Sequence, residues 1–185
     1  MYFLKPITDE VRAIQEIFNN FKKTMKLVLV AIFACIAAIL QATGGFLPGI
    51  GFFISPLATA PILLVSMFSI PFGVMTYVLT IMLLFIIQPT ELIIFPFTTG
   101  LLGFGIGAAF YLFKMRISII SAGSILLTLG IITLLYIFQF PVLGPVASNT
   151  FSILTTGCIF LFSSLYSWFW VACALQIVKR LNKIL

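Results

Sequence analysis

The side chains that could do chemistry are few. The chain has no histidine and only four acidic residues, which excludes His-based catalytic sites and most metal sites. Cys35, Cys158 and Cys173 all lie in apolar runs, a pattern typical of structural thiols rather than of a disulfide framework or metal cluster. Glu91 alone is a thin candidate for catalysis, so an enzyme is the weakest alternative. We expect a protein that is not an enzyme and that needs no cofactor and no metal.

Binding is the chemistry that the remaining polar residues favour. Hydrogen-bonding side chains are concentrated toward one end of the apolar runs, where they either meet water and cap helices or line a pocket. Small-molecule pockets combine apolar and aromatic walls with a few oriented polar groups. Glu91 would bind a cationic or hydrogen-bond-donating group, and Lys and Arg are absent from that end. The residues that we predict to bind a substrate are Gln41, Phe52, Phe53, Glu91, Thr98, Gln139, Asn149 and Thr155.

Composition defines the elements that must position these residues. The chain is 62% hydrophobic and 8% charged, with a mean hydropathy of +1.28, whereas soluble domains have about 25% charged residues. The sequence therefore predicts an all-α integral membrane protein. Six runs are long and apolar enough to cross a membrane, and we place them at 25–44, 57–70 (short and rich in proline), 72–88, 92–113, 117–139 and 152–178.

Basic residues predict the orientation of these spans. They precede the first span, lie between the fourth and fifth, and follow the sixth. With six spans and both termini in the cytoplasm, all ten Lys and Arg residues are cytoplasmic, as the positive-inside rule requires. The basic charge is thus a topology signal, and we expect no nucleic-acid partner. Trp168 and Trp170 fall toward the cytoplasmic end of the sixth span, where we expect them to anchor it at the interface.

The N-terminal region is predicted to be a separate element. Apolar residues such as Val11, Ile14 and Phe18 recur at helical spacing between residues 7 and 25. We therefore divide the chain into an amphipathic helix at 1–24, in contact with membrane lipid at the cytoplasmic surface, and a six-helix membrane domain at 25–185. A docking helix for a partner subunit is the alternative.

Small residues mark two close helix contacts. In the first span Ala34 and Ala38 are spaced by four and Ala31 lies near the same stripe, which lets another helix approach closely in lipid. Packing within this chain and contact with a partner subunit both fit that stripe. The glycines of FTTGLLGFGIGAAF, at 97–110, favour close packing inside the bundle over a dinucleotide site.

The connection after the first span is both apolar and rich in turn residues. Residues 45–56 read GFLPGIGFFISP, and irregular backbone at membrane depth must be buried in protein or line a cavity. We interpret this segment either as a lid over a pocket or as a static plug.

These features together resemble the substrate-binding S-component of an energy-coupling factor (ECF) vitamin transporter. The resemblance rests on KLVLVAIFACIAAIL at 26–40, the long first external loop, the closely joined second and third spans, and the glycine-rich fourth span. It implies a vitamin or related micronutrient captured on the external side of a bacterial cell membrane. It also implies contact of Ala31, Ala34 and Ala38 with a coupling transmembrane subunit that two cytoplasmic ATPases drive.

The chain departs from that family in its long N-terminal helix and in its lack of residues that match one vitamin class. A non-transport membrane scaffold of similar six-span fold, like the cell-shape factor MreD, is the main alternative. It would hold partners through the N-terminal helix and the basic clusters. An independent channel or secondary transporter has less support, because the chain shows neither repeated halves nor an ion relay.

Overall fold

The structure, a computed structural model, describes residues 8–47, 49–140 and 153–184. In that part the chain is almost entirely helical and has no β-strand. The helices are α1 (Thr8–Asn20), α2 (Lys23–Phe46), α3 (Gly51–Ile54), α4 (Thr59–Phe68), α5 (Ile70–Ile87), α6 (Glu91–Ile94), α7 (Thr99–Leu112), α8 (Arg116–Ile132) and α9 (Ile153–Ile184). Two 3₁₀ helices, η1 (Ser55–Ala58) and η2 (Phe95–Phe97), and a π-helical turn at Thr133–Ile137 extend them.

Six helical segments of the described chain are long and apolar enough to cross a membrane, which confirms the predicted all-α fold and number of spans. Three of them are single helices, and three combine a helix with the short helices or the π turn next to it. They are Lys23–Phe46, Gly51–Phe68, Ile70–Ile87, Glu91–Leu112, Arg116–Ile137 and Ile153–Lys183.

The predicted start of the second span is wrong by six residues. The prolines and glycines after the first span suggested irregular backbone up to residue 56, but α3 and η1 make Gly51–Phe68 a continuous helical segment. Pro56 fits because it lies in the first turn of η1, where a backbone N–H needs no helical partner. The turn itself is short and includes Gly49, whose φ of +84° favours glycine.

Helix α4 lies at the centre of the bundle and packs most extensively against α7. A Cβ atom on Gly103 would lie 2.7 Å from the Thr59 carbonyl oxygen, and one on Gly107 would lie 2.9 Å from the Leu63 carbonyl oxygen. The glycines of the fourth span therefore let two backbones touch, and the predicted close packing inside the bundle is confirmed.

Helix α1 packs across one end of this bundle. It ends at Asn20, earlier than predicted, and buries Val11, Ile14 and Phe18. The Phe18 ring lies 5.6 Å from that of Phe68. Helix α4 leaves its last carbonyls without helical partners, and two side chains supply them: Gln15 Nε2 donates to Met67 O at 2.9 Å, and the Tyr111 hydroxyl donates to Phe68 O at 2.6 Å.

The bundle therefore has two different ends. One end carries α1, the link at 113–115 and the last turn of α9, and all the basic residues of the described chain lie in or near these segments. We call it the basic end. The other end carries the links at 47–50 and 88–90 and the first turn of α9. We call it the cavity end, for the feature described next.

Candidate functional site

A cavity of about 570 Å³ lies at the cavity end of the bundle. This volume falls in the range of small-molecule pockets. Its walls come from the end of α2, the start of the second span, the start of the fourth span, and the middle or outer parts of α8 and α9. The residues that line it are Gln41, Phe52, Ser55, Pro56, Glu91, Ile94, Thr98, Thr99, Leu127, Ile131, Phe140, Phe162 and Tyr166.

Three polar side chains on two spans form a hydrogen-bonded chain in the wall of this cavity. Thr99 donates through its hydroxyl to Gln41 Oε1 at 2.7 Å, and Gln41 Nε2 donates to Glu91 Oε2 at 2.8 Å. All three side chains are buried, with Gln41 2% exposed and Glu91 6% exposed. The amide nitrogen of Gln41 therefore faces Glu91, and its carbonyl oxygen faces Thr99. These two hydrogen bonds thereby hold the Glu91 side chain in one position.

Two glycines near the end of α2 make room for the link that carries Glu91. A Cβ atom on Gly44 would lie 2.7 Å from Glu91 Oε1, and the side chain of Gln88 packs directly on Gly45. Glu91 itself opens α6, where its backbone N–H donates to Gln88 O at 3.1 Å. A side chain at 44 or 45 would therefore displace the side chains of Glu91 and Gln88 from their positions against α2.

The electrostatic character of the cavity is set by one group. Of the described residues that line it, Glu91 is the only one with an ionisable carboxyl group, and none is Lys or Arg. A buried carboxylate is costly unless donors or an opposite charge compensate it, and Gln41 supplies one donor to one of its oxygens. A ligand with an ammonium, an amidine or several N–H donors would supply the rest.

Apolar and aromatic groups form the other walls. The rings of Phe162 and Tyr166 stack with centroids 5.8 Å apart and nearly parallel planes, at 11°. The Tyr166 hydroxyl donates to Pro56 O at 3.2 Å, which ties α9 to η1. Phe52 is 68% exposed and lies at the rim. The cavity can therefore receive a flat or apolar body whose polar end meets Glu91.

Polar groups that make no close hydrogen bond lie beside this cavity and deeper along α9. The hydroxyls of Ser163 and Ser167 are buried and make no hydrogen bond. The Thr59 hydroxyl and the Trp170 indole N–H are also buried and lie near the Tyr166 hydroxyl, but neither makes a close hydrogen bond. By contrast Ser164, on the outer face of α9, donates to Phe160 O at 2.8 Å. Buried polar groups usually have partners, so these four are places where water or a polar part of a ligand can bind.

Four of the predicted substrate-binding residues come together in this structure. Gln41, Phe52, Glu91 and Thr98 all line the cavity. The Thr98 hydroxyl donates back to Ile94 O at 2.8 Å, as threonines in apolar helices commonly do.

The other predicted substrate-binding residues do not line the cavity or lie outside the described chain. Phe53 is 83% exposed and does not line the cavity. Gln139 is exposed, with a φ of 51° at the end of the π turn. Thr155 is half-buried on α9 and does not line the cavity. Asn149 lies outside the described residues.

Sequence reasoning missed Thr99, Tyr166 and Ser55 as lining residues. Thr99 directly follows Thr98, and both line the cavity at the start of α7. Tyr166 follows Phe162 by four residues, a spacing that places both on one helix face. This spacing is the signal that could have predicted the aromatic wall. Ser55 sat in the segment that was predicted to be irregular.

The alanine stripe of α2 is divided between interior and surface. Ala34 and Ala38 are fully buried within the chain, whereas Ala31 is exposed. A partner cannot contact Ala34 or Ala38 in this conformation, so packing within the chain accounts for them. Trp170 is also buried, at 5% exposure, which makes the predicted interfacial anchoring wrong for this residue; Trp168 is 41% exposed.

In the part of the chain that the structure describes, no three metal-binding side chains come together. Compared with models of known protein families, with characterised proteins and with solved structures, the chain matches none. The geometry of the cavity therefore carries the functional argument.

Proposed function

We propose that this protein is a substrate-binding membrane subunit of an ECF-type micronutrient transporter. The ligand is a small, largely apolar or aromatic molecule, such as a vitamin, with a cationic or N–H-rich group. The single observation that carries this proposal is the cavity of about 570 Å³ whose buried Glu91 is held by Gln41 and Thr99. Buried carboxylates in membrane spans are costly and usually serve a function.

The orientation follows from charge. The basic residues of the described chain lie at the opposite end from the cavity, and the positive-inside rule assigns that end to the cytoplasm. Both termini are then cytoplasmic, the cavity opens to the outside of a bacterial cell membrane, and α1 lies at the cytoplasmic surface. A ligand captured from outside enters the bundle at this cavity.

Release into the cell requires energy that this chain does not supply. The sequence contains no phosphate-binding GxxxxGK[ST] motif, so a coupling membrane subunit with two ATPases provides it. The coupling subunit contacts the outer face of α2 at Ala31, whose neighbour one turn later is the exposed Cys35. Small residues four apart on a lipid-facing surface allow such close contact.

Native mass spectrometry of protein released gently from membranes tests this function. We expect one small molecule of a few hundred daltons bound to the chain, and copurification of a coupling subunit with its ATPases. If no small molecule is bound in any preparation and no such partner copurifies, the proposal is refuted.

A membrane scaffold is the second candidate, and one observation favours it. Ala34 and Ala38, through which the family resemblance places the coupling contact, have no exposed surface. A scaffold would not need Glu91 for its function, whereas a transporter subunit would. Normal cell growth on limiting micronutrient with a Glu91→Ala variant, together with defective cell shape after deletion of residues 8–20, would establish the scaffold instead.

A further inference from the structure

A second cavity, of about 370 Å³, lies at the basic end of the bundle. Every residue that lines it is apolar, and we call it the apolar groove. It is formed by α1, the first half of α2, the second half of α4 and the end of α9. Its lining residues are Ile14, Ile17, Phe18, Phe21, Leu29, Phe33, Leu64, Val65, Phe68, Ile177 and Leu181.

The groove exists because α2 diverges from two of its neighbours. Helix α1 packs on α4 and α9, and α2 packs on α4. Among the described residues α2 has no extensive contact with either α1 or α9. Helix α4 is thus the floor and α1 the cover, and because α2 and α9 lie apart we infer that the groove opens between them toward the hydrocarbon of the membrane.

Cations border this groove. Lys22 follows Phe21, and Arg180 precedes Leu181, so each adjoins a lining residue and each is exposed. Lys23 is exposed beside Lys22. Lys26 also lies at the groove, since its Nζ is 5.5 Å from the ring centroid of Phe18, and it donates to Asn19 O at 2.9 Å. One exposed acid, Glu16 on α1, adjoins the lining residue Ile17, so the local charge is positive.

We propose that the apolar groove binds one anionic phospholipid. One acyl chain lies between α2 and α9 against the floor of α4, and the phosphate meets Lys22, Lys23 and Arg180. An all-apolar lining matches hydrocarbon, and basic residues at a membrane surface attract anionic headgroups. A zwitterionic lipid would fill the groove equally well but would gain less from the cations. The inference depends on the membrane spans and not on the proposed transport function.

The test compares lipids with identical acyl chains. The protein is delipidated in detergent, incubated with equimolar palmitoyl-oleoyl phosphatidylglycerol and phosphatidylcholine, and analysed by native mass spectrometry. We expect one tightly held lipid with a clear preference for phosphatidylglycerol. The double variant Lys22→Gln/Arg180→Gln should lower that preference by about fivefold for each charge removed, whereas Lys114→Gln, an exposed cation away from the groove, should not.

A second variant tests the groove itself. Leu29→Trp fills it and should abolish retention of the lipid, while Val78→Trp, on the exposed face of α5, should leave retention unchanged. The melting temperature of both tryptophan variants is compared with that of the wild type as a folding control. The charge variants replace exposed side chains and so leave the packing of the groove unchanged. Equal retention of the two lipids, lipid loss from Val78→Trp as from Leu29→Trp, or a protein segment bound in the groove would overturn the proposal.

Discussion

The cavities at the two ends of this bundle differ in their lining and in where their charged groups lie. At the cavity end, Gln41, Glu91 and Thr99 pair with one another, and a single carboxylate faces the space. At the basic end, the space is wholly apolar, and the charges stay outside it on exposed side chains. The difference indicates what each cavity can bind. A polar ligand needs fixed hydrogen-bonding partners inside its cavity, whereas a hydrocarbon chain needs only an apolar space of matching shape.

The first variant challenges the packing of the basic end. Phe18→Ala removes a ring that contacts both Phe68 and Phe72, and loss of a buried ring costs about 3–5 kcal/mol. We expect α1 to detach, seen as rapid hydrogen exchange over residues 11–20, while occupancy of the distant cavity stays unchanged. Phe85→Ala, on the exposed face of α5, is the control. Loss of cavity occupancy in Phe18→Ala would show that the two ends are coupled.

A pair of glutamine variants compares the two ends directly. Gln41→Leu leaves both Glu91 and Thr99 without their partner, which should lower the free energy of unfolding by about 1–3 kcal/mol for each buried group. Gln15→Leu removes one hydrogen bond, to the Met67 carbonyl, at about 1 kcal/mol. We expect the melting temperature to fall more for Gln41→Leu. An equal fall would mean that the polar chain at the cavity end contributes no more than an isolated bond.

Glu91→Gln tests the charge at the cavity end without removing the hydrogen-bonding shape. Bonds to charged groups contribute about 1.5–3 kcal/mol, so we expect the affinity for the copurifying ligand to fall roughly 10- to 100-fold. Glu16→Gln, an exposed carboxylate on α1, should leave it unchanged. Isothermal calorimetry with the identified ligand measures both. Full affinity in Glu91→Gln would show that the ligand is not recognised by its positive or N–H-donating group.

The smallest expected effect is the difference in melting temperature between removing a hydrogen-bonded hydroxyl and removing one without a close hydrogen bond. Thr99→Val breaks the bond to Gln41, and we expect it to lower the melting temperature of the ligand-free protein. Thr59→Val removes a hydroxyl that lies near the Tyr166 hydroxyl but makes no close hydrogen bond, so it should not lower the melting temperature and should raise the free energy of unfolding by at most about 1 kcal/mol. Both threonines are buried, which makes the substitutions matched. A fall for Thr59→Val would indicate a bound water or ligand at that hydroxyl.

Much of the fold could be predicted from the sequence, because the constraints are strong. Hydrocarbon demands long apolar helices, and this alone defined six spans with small errors at their ends. The start of the second span was missed because proline and glycine suggest turns, whereas Pro56 in fact begins a 3₁₀ helix. Local composition does not distinguish a turn from the first turn of a helix.

The candidate site was predicted less completely. Gln41, Glu91 and Thr98 were found because polar residues in apolar runs are conspicuous. The pairing of Gln41 with Glu91, fifty positions apart, depends on the close approach that Gly44 and Gly45 permit. Periodicity within one span cannot reveal such a contact. For the same reason it could not reveal that Ala34 and Ala38 face this chain's own interior while Ala31 faces outward.

The unequal lengths of the spans have a consequence for the surrounding bilayer. Helix α5 has 18 residues, so it rises about 27 Å, whereas the 31 residues of the last span rise about 46 Å. A hydrocarbon core is about 30 Å thick. Lipid next to α5 must therefore thin slightly while α9 tilts or projects beyond the hydrocarbon core. The bundle presents a short side and a long side to the membrane, so the mismatch with the surrounding hydrocarbon differs from one side of the protein to the other.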